Sequence, residues 1–309
     1  MAPSPRPSMA RAWLLASRPN TLPASAAGVM AGLGAAAGAG APFRADTAFE
    51  CLAAALLLQV FANLANDYSD FQRGADTPDR LGPTRAVAAG LISPAAMRAG
   101  MLAVAAAAGA DGLLLTLAGG PAILVLGVAA VVAAIAYTGG PWPFGYKGLG
   151  ELFVFVFFGP VCAAGTAYLQ AGRVEPLHLA ASIPPGAFAV AILVTNNLRD
   201  VATDAAAGKR TLAVRFGEGF ARAEYVASLA AAWIVPAGVA AALLAPAARH
   251  AAAPLVLLPF LVAPAAAPLV RTVLEPDDPR RLNRVLKLTG RLGLAFAALF
   301  AIGLAAQGA

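Results

Sequence analysis

Apolar residues run along this chain in long blocks separated by short polar junctions. Stretches free of Asp, Glu, Lys and Arg cover 19–43, 51–66, 112–146, 152–172, 176–198, 225–248, 250–270 and 292–309. A helix needs roughly 20 mostly apolar residues to cross the hydrocarbon of a bilayer. Segment 93–118 is apolar apart from Arg98 and Asp111, and Gly119-Gly120-Pro121 then signals a tight turn. The pattern predicts helices near 20–41, 49–68, 95–118, 121–138, 151–171, 179–198, 225–245, 252–271 and 290–307. The blocks are rich in Ala, Leu and Gly and lack the period-two alternation of a barrel strand. The expected fold class is an all-α integral membrane protein, a bundle of nine transmembrane helices. Residues 1–10 read as a disordered tail and 11–309 as a single transmembrane domain. No cleavable signal peptide is expected, since no apolar core precedes Leu22.

Composition closes off the soluble classes. Of 309 residues, 60% are hydrophobic and only 12% charged, whereas a soluble domain is about 25% charged. Two cysteines make no disulfide framework, and two histidines, His178 and His250, make no histidine-rich metal site. Both histidines fall on the side poor in basic residues and read as solvated.

The net charge of +6 raises the question of nucleic acid. Placed on the nine-helix pattern, all Lys and Arg except Arg44, Arg173 and Arg249 fall on one side of the bilayer. Cytoplasmic loops carry such an excess, so the N-terminus is expected inside and the C-terminus outside. Topology explains the charge, and no nucleic-acid partner is expected.

Acidic residues are few, so their clusters carry information. Asn63, Asn66, Asp67 and Asp70 are spaced i, i+3, i+4 and i+7 at the inner end of the second helix, which places them on one face. Asn196, Asn197, Asp200 and Asp204 form a comparable face at the inner end of the sixth. Each cluster is followed by a basic loop, Gly82-Pro83-Thr84-Arg85 after the first and Gly208-Lys209-Arg210-Thr211 after the second. Like-charged carboxylates on one face repel unless a cation offsets them. Oxygen ligands suit Mg²⁺, which binds through a few carboxylates plus phosphate oxygens, and the neighbouring Lys and Arg can donate to the same phosphates. Helix-end carboxylates ordinarily cap and pair locally, but two such clusters inside a membrane protein point to function.

Four ordered blocks then resemble a known family: Ser17-Arg18-Pro19-Asn20-Thr21-Leu22-Pro23, NLANDYSDFQRGADTPDRLGPTRAV (63–87), YTGGPWPFGYKGLGELFVFVFFG (137–159) and NNLRDVATDAAAGKRTLAVRFG (196–217). They resemble the UbiA superfamily of intramembrane prenyltransferases, and most closely its 1,4-dihydroxy-2-naphthoate polyprenyltransferase branch of menaquinone synthesis. The resemblance implies a multi-pass enzyme of the bacterial cytoplasmic (inner) membrane. It implies transfer of an all-trans polyprenyl group from its diphosphate to 1,4-dihydroxy-2-naphthoate, with loss of CO₂, giving demethylmenaquinone. Asp67, Asp70, Asp200 and Asp204, with Asn66 and Asn197, are the implied Mg²⁺ ligands, with Mn²⁺ able to substitute. Lys209, Arg85 and Arg210 are implied to stabilise the leaving diphosphate. Asn63, Asn196, Arg199 and Tyr137 complete the implied substrate contacts.

Tyr68, Tyr137 and Tyr146 could face an allylic cation, but tyrosines at helix ends more often serve as interfacial anchors. Asp76 lies past the expected helix end at Gly74, where a place on the metal stays open beside a plain loop position, and Asp111 has no expected role. Two alternatives stay open. One is a related prenyltransferase acting on 4-hydroxybenzoate or homogentisate. The other is a secondary transporter, disfavoured because the polar clusters sit at helix ends and not at broken helix centres.

Overall fold

A computed structural model describes residues 7–75, 81–245, 251–276 and 278–308, and among them the regular elements are all helical. In chain order they are α1 (Met9–Ser17), α2 (Leu22–Gly38), α3 (Ala45–Gln72), α4 (Pro94–Gly119) and α5 (Pro121–Ala136). There follow α6 (Gly150–Val156), a π-helical stretch over Phe157–Ala164 and α7 (Gly165–Ala171), which together make one membrane-long rod. Then come α8 (Pro176–Arg199), α9 (Val201–Ala206), α10 (Leu212–Leu244), a 3₁₀ segment over Ala253–Ala265, α11 (Ala266–Leu274) and α12 (Leu282–Ala305).

Eight helical segments are long and apolar enough to cross a membrane, and α5 is a shorter ninth. The expected nine-helix bundle is therefore present among the described residues. Several ends differ from the sequence expectation because helices continue past their apolar blocks. The second expected helix, near 49–68, runs to Gln72, so Asp67 and Asp70 are fully helical. The expected 225–245 helix begins at Leu212, and Gly217 (φ 84°, ψ 172°) kinks it in its second turn. α1 starts at Met9, inside the expected tail, with Ser8 Oγ accepting from Arg11 N. His178 is fully buried, not solvated, because its Nδ1 accepts from the backbone N–H of Glu175 and closes the start of α8. His250, Arg249, Asp76 and residues 1–6 lie outside the described residues.

Proline explains the two irregular rods. Pro160 removes a helical donor within Phe157–Ala164, where the backbone widens to π geometry. Pro254, Pro259 and Pro264 punctuate Ala253–Ala265, which winds as 3₁₀ instead of α.

The packing is built on α8, α10, α12 and α2, which carry the most extensive interhelical contacts. Phe188, Trp233, Phe296 and Phe300 interlock at ring-centroid separations of 5.2–5.9 Å. Close approach in lipid favours small residues. At Gly34 a side chain would meet Ala301 Cα of α12 at 2.3 Å, and at Gly32 it would meet the carbonyl oxygen of Ala163 at 2.2 Å. α2 is thereby clamped between α12 and the π-helical rod, and that clamp fixes the wall of the cavity described next.

Candidate active site

A cavity of about 600 Å³ opens between α2, α3, α4, α5, the α6–α7 rod and α8. Its polar end is formed by Asn63, Asn66, Asp70, Arg85, Asn196, Asn197, Asp200, Asp204 and Lys209, while Leu115, Ile123, Phe157, Val161 and Leu169 line its apolar reach. Both predicted clusters therefore meet in one chamber, from helices far apart in sequence.

The first cluster divides in a way the spacing hides. At 100° per residue, Asp67 lies at the edge of the face that Asn63, Asn66 and Asp70 share. The structure turns Asp67 away from the cavity. Its Oδ2 accepts from Ala86 N at 2.9 Å and its Oδ1 from Val87 N at 3.1 Å, with 1% of the residue exposed. The expected metal role of Asp67 is thus not where its oxygens are: they hold the loop that carries Arg85. Asp70 faces inward, accepting from Tyr146 Oη at 2.8 Å and from Arg85 Nη2 at 2.5 Å. Asn66 Oδ1 accepts from Thr138 Oγ1 at 3.0 Å. Asn63 donates to the Ser17 carbonyl and to Thr21 Oγ1, tying α3 to the break between α1 and α2.

The second cluster is interrupted. α8 ends at Arg199, Asp200 leaves helical geometry (φ −101°, ψ 11°), and Asp204 belongs to the short helix α9. The four residues do not share one continuous helical face, yet all line the cavity. Arg199 is expected on the substrate but is buried behind Asp200. It holds both Asp200 oxygens, at 2.8 and 2.5 Å, while donating to Asn196 Oδ1 and Asn283 Oδ1 at 2.7 Å each. Asn283 passes the link on, donating to the Leu81 carbonyl at 3.0 Å. Arg210 is exposed and outside the cavity lining, contributing its backbone N–H to the Tyr146 carbonyl at 2.9 Å. Its side chain is not placed to meet a leaving group.

Lys209 joins the two clusters. Its Nζ stands 3.5 Å from Asp70 Oδ1, 3.6 Å from Asp204 Oδ1 and 4.8 Å from the centre of the Tyr146 ring. Burial pushes the Asp204 carboxyl up to about 6; Lys209 opposes the rise, and Asp200 and Asp70 add to it. The Tyr146 phenol is also raised, by burial first and then by Asp70, so it stays a hydrogen-bond donor. Tyr146 and Tyr137 are thus cavity residues and not surface anchors, while Tyr68 packs beside Leu64 and Met97.

The sequence pattern assigns no role to Glu151 or Asn283, and it leaves Tyr146 between a place facing the cation and an interfacial anchor. Glu151 had a visible signal, being the sole acid between Asp111 and Glu175. Asn283 had none. Asp111 sits half-buried in α4, away from the cavity lining.

Among the described residues no three acidic, histidine or cysteine side chains stand close enough to chelate a metal by themselves. The donor set nevertheless suits a hard cation. Asp70, Asp200, Asp204, Asn66 and Asn197 offer oxygen ligands around one chamber, and such ligands with room for phosphate oxygens suit Mg²⁺. The Asp204 carboxyl is raised first by burial, and Asp200 and Asp70 add to the rise against Lys209, so a cation bound there would favour its ionised form.

Comparison with known proteins agrees with this architecture. The chain is 44% identical over 223 residues to a Mycobacterium tuberculosis protein named 1,4-dihydroxy-2-naphthoate octaprenyltransferase, covering 72% of this chain and 76% of the relative. An Escherichia coli protein of the same name is 41% identical over 221 residues, 70% of this chain and 71% of the other. The fold matches a UbiA homolog from Archaeoglobus fulgidus bound to DMAPP and Mg²⁺, with a TM-score of 0.61, 16% identity, and 94% and 99% of the two chains covered. Residues 26–290 match the UbiA prenyltransferase family, which sets aside the transporter alternative. This multi-pass membrane protein belongs to the UbiA prenyltransferase family.

Proposed function

We propose that the chain transfers an all-trans polyprenyl group from its diphosphate to 1,4-dihydroxy-2-naphthoate, with loss of CO₂. The observation that carries the reading is the two-ended cavity, with carboxylates, amides and Lys209 at one end and an apolar reach between helices at the other. The names of relatives 40–44% identical support the choice of acceptor.

Asp70, Asp200 and Asp204, with Asn66 and Asn197, are the residues that would hold Mg²⁺. When bound, Mg²⁺ supplies positive charge to the diphosphate oxygens as the allylic C–O bond breaks. Lys209 and Arg85, both on the cavity, donate to the departing diphosphate. Tyr146 keeps Asp70 oriented through its phenol. The stacked rings of Phe144 and Phe153, 4.0 Å apart, and Phe157 beyond them exclude water from the developing allylic cation.

The ring carbon bearing the acceptor's carboxylate forms the new C–C bond. The electrons of its bond to the carboxylate return to the ring as CO₂ leaves. The product is demethylmenaquinone in its reduced, quinol form, and diphosphate is released. The prenyl tail lies along the apolar reach and extends into the bilayer. The basic side, with the N-terminus and the carboxylates, is assigned to the cytoplasm of a bacterial cell and the C-terminus to the outside.

The test is a prenyl-transfer assay on purified protein with radiolabelled polyprenyl diphosphate, 1,4-dihydroxy-2-naphthoate, 4-hydroxybenzoate and homogentisate. Product and ¹⁴CO₂ released from carboxyl-labelled dihydroxynaphthoate alone support the proposal. Turnover of another acceptor with dihydroxynaphthoate inert overturns it.

A further inference from the structure

We propose that Glu151 is a positioning residue that fixes the Asn197 side-chain amide with its carbonyl oxygen, not its NH₂, toward the cavity. The inference rests on reading that cavity as a cation and diphosphate site.

Asn197 is 6% exposed and lines the cavity, and its Nδ2 donates to Glu151 Oε1 at 2.8 Å. An amide has two ends of nearly equal size and opposite chemistry, so rotation by half a turn exchanges an acceptor for a donor. To a cation only the oxygen is a ligand, so the partner outside the cavity decides what Asn197 can do inside it. Glu151 lies in the first turn of the rod that begins at Gly150, and its Oε1 is the acceptor behind the amide. With Glu151 behind it, the amide has one satisfying orientation.

Asn196 next door is fixed in the opposite sense. Its oxygen is taken by Arg199 at 2.7 Å, which leaves its NH₂ as the end not engaged by that guanidinium. Two adjacent amides of identical sequence chemistry are therefore set by opposite partners, the acceptor Glu151 behind one and the donor Arg199 behind the other. One suits a cation, and the other suits a phosphate oxygen. A buried carboxylate within a membrane-spanning rod is costly to keep, and this division of labour gives Glu151 a reason to be there.

The test measures Mn²⁺ binding to the purified full chain from the loss of the free-ion EPR signal, alongside thermal melting. Removing a partner that orients a metal ligand costs about 10- to 100-fold in metal affinity. Glu151→Leu is therefore expected to weaken Mn²⁺ binding about tenfold or more with melting little changed. Glu151→Met, unbranched and similar in length, serves the same test if the Leu variant does not fold. Glu151→Gln still offers an acceptor to the amide, and the cation selects that arrangement, so binding should stay within about threefold of wild type.

The decisive variant is Glu151→Leu/Asn197→Asp. A carboxylate presents oxygen in either rotation, so the double change should recover the affinity that Glu151→Leu loses. A purely structural role for Glu151 would leave the double variant no better than the single one. Unchanged Mn²⁺ binding in Glu151→Leu, or a folded double variant without recovery, overturns the inference and leaves the cation site standing. A wild-type chain that binds no Mn²⁺ and transfers prenyl groups in excess chelator overturns the cation site, and this inference with it.

Discussion

The ammonium of Lys209 lies 3.5 Å from a carboxylate oxygen of Asp70, so the loop after the second acidic cluster neutralises a residue of the first. The same ammonium reaches Asp204 at 3.6 Å. Lys209 is the electrostatic joint between the two clusters, and the cavity's behaviour toward cations and anions turns on it.

Replacing Lys209 by Gln should act in opposite directions on two ligands. The diphosphate loses a charge-assisted donor, so the KM for prenyl diphosphate should rise about tenfold or more. Asp70 and Asp204 lose their shared counter-charge, so Mn²⁺ should bind more tightly without diphosphate. Steady-state kinetics and EPR titration of the same preparation read both effects. A fall in both affinities would contradict the bridge.

The two aspartates of the first cluster should separate cleanly. Asp70→Asn should lower kcat by about 10²-fold or more, the scale for losing one preorganised electrostatic group, with little change in melting. Asp67→Asn should show the reverse emphasis. Its NH₂ would face the N–H groups of Ala86 and Val87, and a buried unsatisfied donor costs about 1–3 kcal/mol. A lower melting temperature with kcat less affected than in Asp70→Asn is the expected pattern. Equal kcat losses in two equally stable variants would refute the reassignment of Asp67.

Asp204 sets a pH dependence. Its folded value of about 6 lies above the usual 3.8, so the unfolded chain ionises first. The group's contribution to stability therefore falls as pH rises from about 4 through 6 and is level above that. A divalent cation favours the ionised form, so the Mg²⁺ concentration needed for half-maximal activity should rise as pH falls below about 6. Asp204→Asn should flatten that dependence while raising the Mg²⁺ requirement throughout. An unchanged slope in that variant would assign the titration elsewhere.

Metal removal should be complete in effect. EDTA in excess should abolish turnover, and Mg²⁺ or Mn²⁺ should restore it, since both are hard cations that prefer oxygen ligands. Full turnover in chelator would leave the diphosphate to cationic side chains of the cavity such as Lys209 and Arg85.

The apolar blocks carried the membrane fold openly, because a membrane span must be long and almost free of charge. The two acidic clusters were legible for a related reason, since polar groups are scarce in such a chain. Finer placement was not legible. Asn66 and Asp67 are adjacent in sequence, yet 100° of helical turn separates a cavity residue from a loop anchor. Arg199 and Arg210 read alike as basic neighbours of Asp200, but one is locked behind it and the other is exposed. Tyr146 and Asn283 act through partners remote in sequence, Asp70 and Arg199, and no local pattern announces such pairs.

The short helix α5 has a consequence for the bilayer. Its 16 residues rise about 24 Å at 1.5 Å each, against a hydrocarbon thickness of about 30 Å. Val125 is exposed and outside the cavity lining, while Ile123, Val128, Val132 and Ala134 border the cavity. Local thinning of the bilayer is one response to so short a span, and thinning along that flank would bring the headgroup plane toward the chamber. On the proposed function, a polyprenyl diphosphate in the membrane would then reach the polar end of the cavity most readily along this flank. The preference this creates is for thin bilayers: activity in vesicles should depend on acyl-chain length, with longer lipids slowing substrate entry before they affect the chemistry.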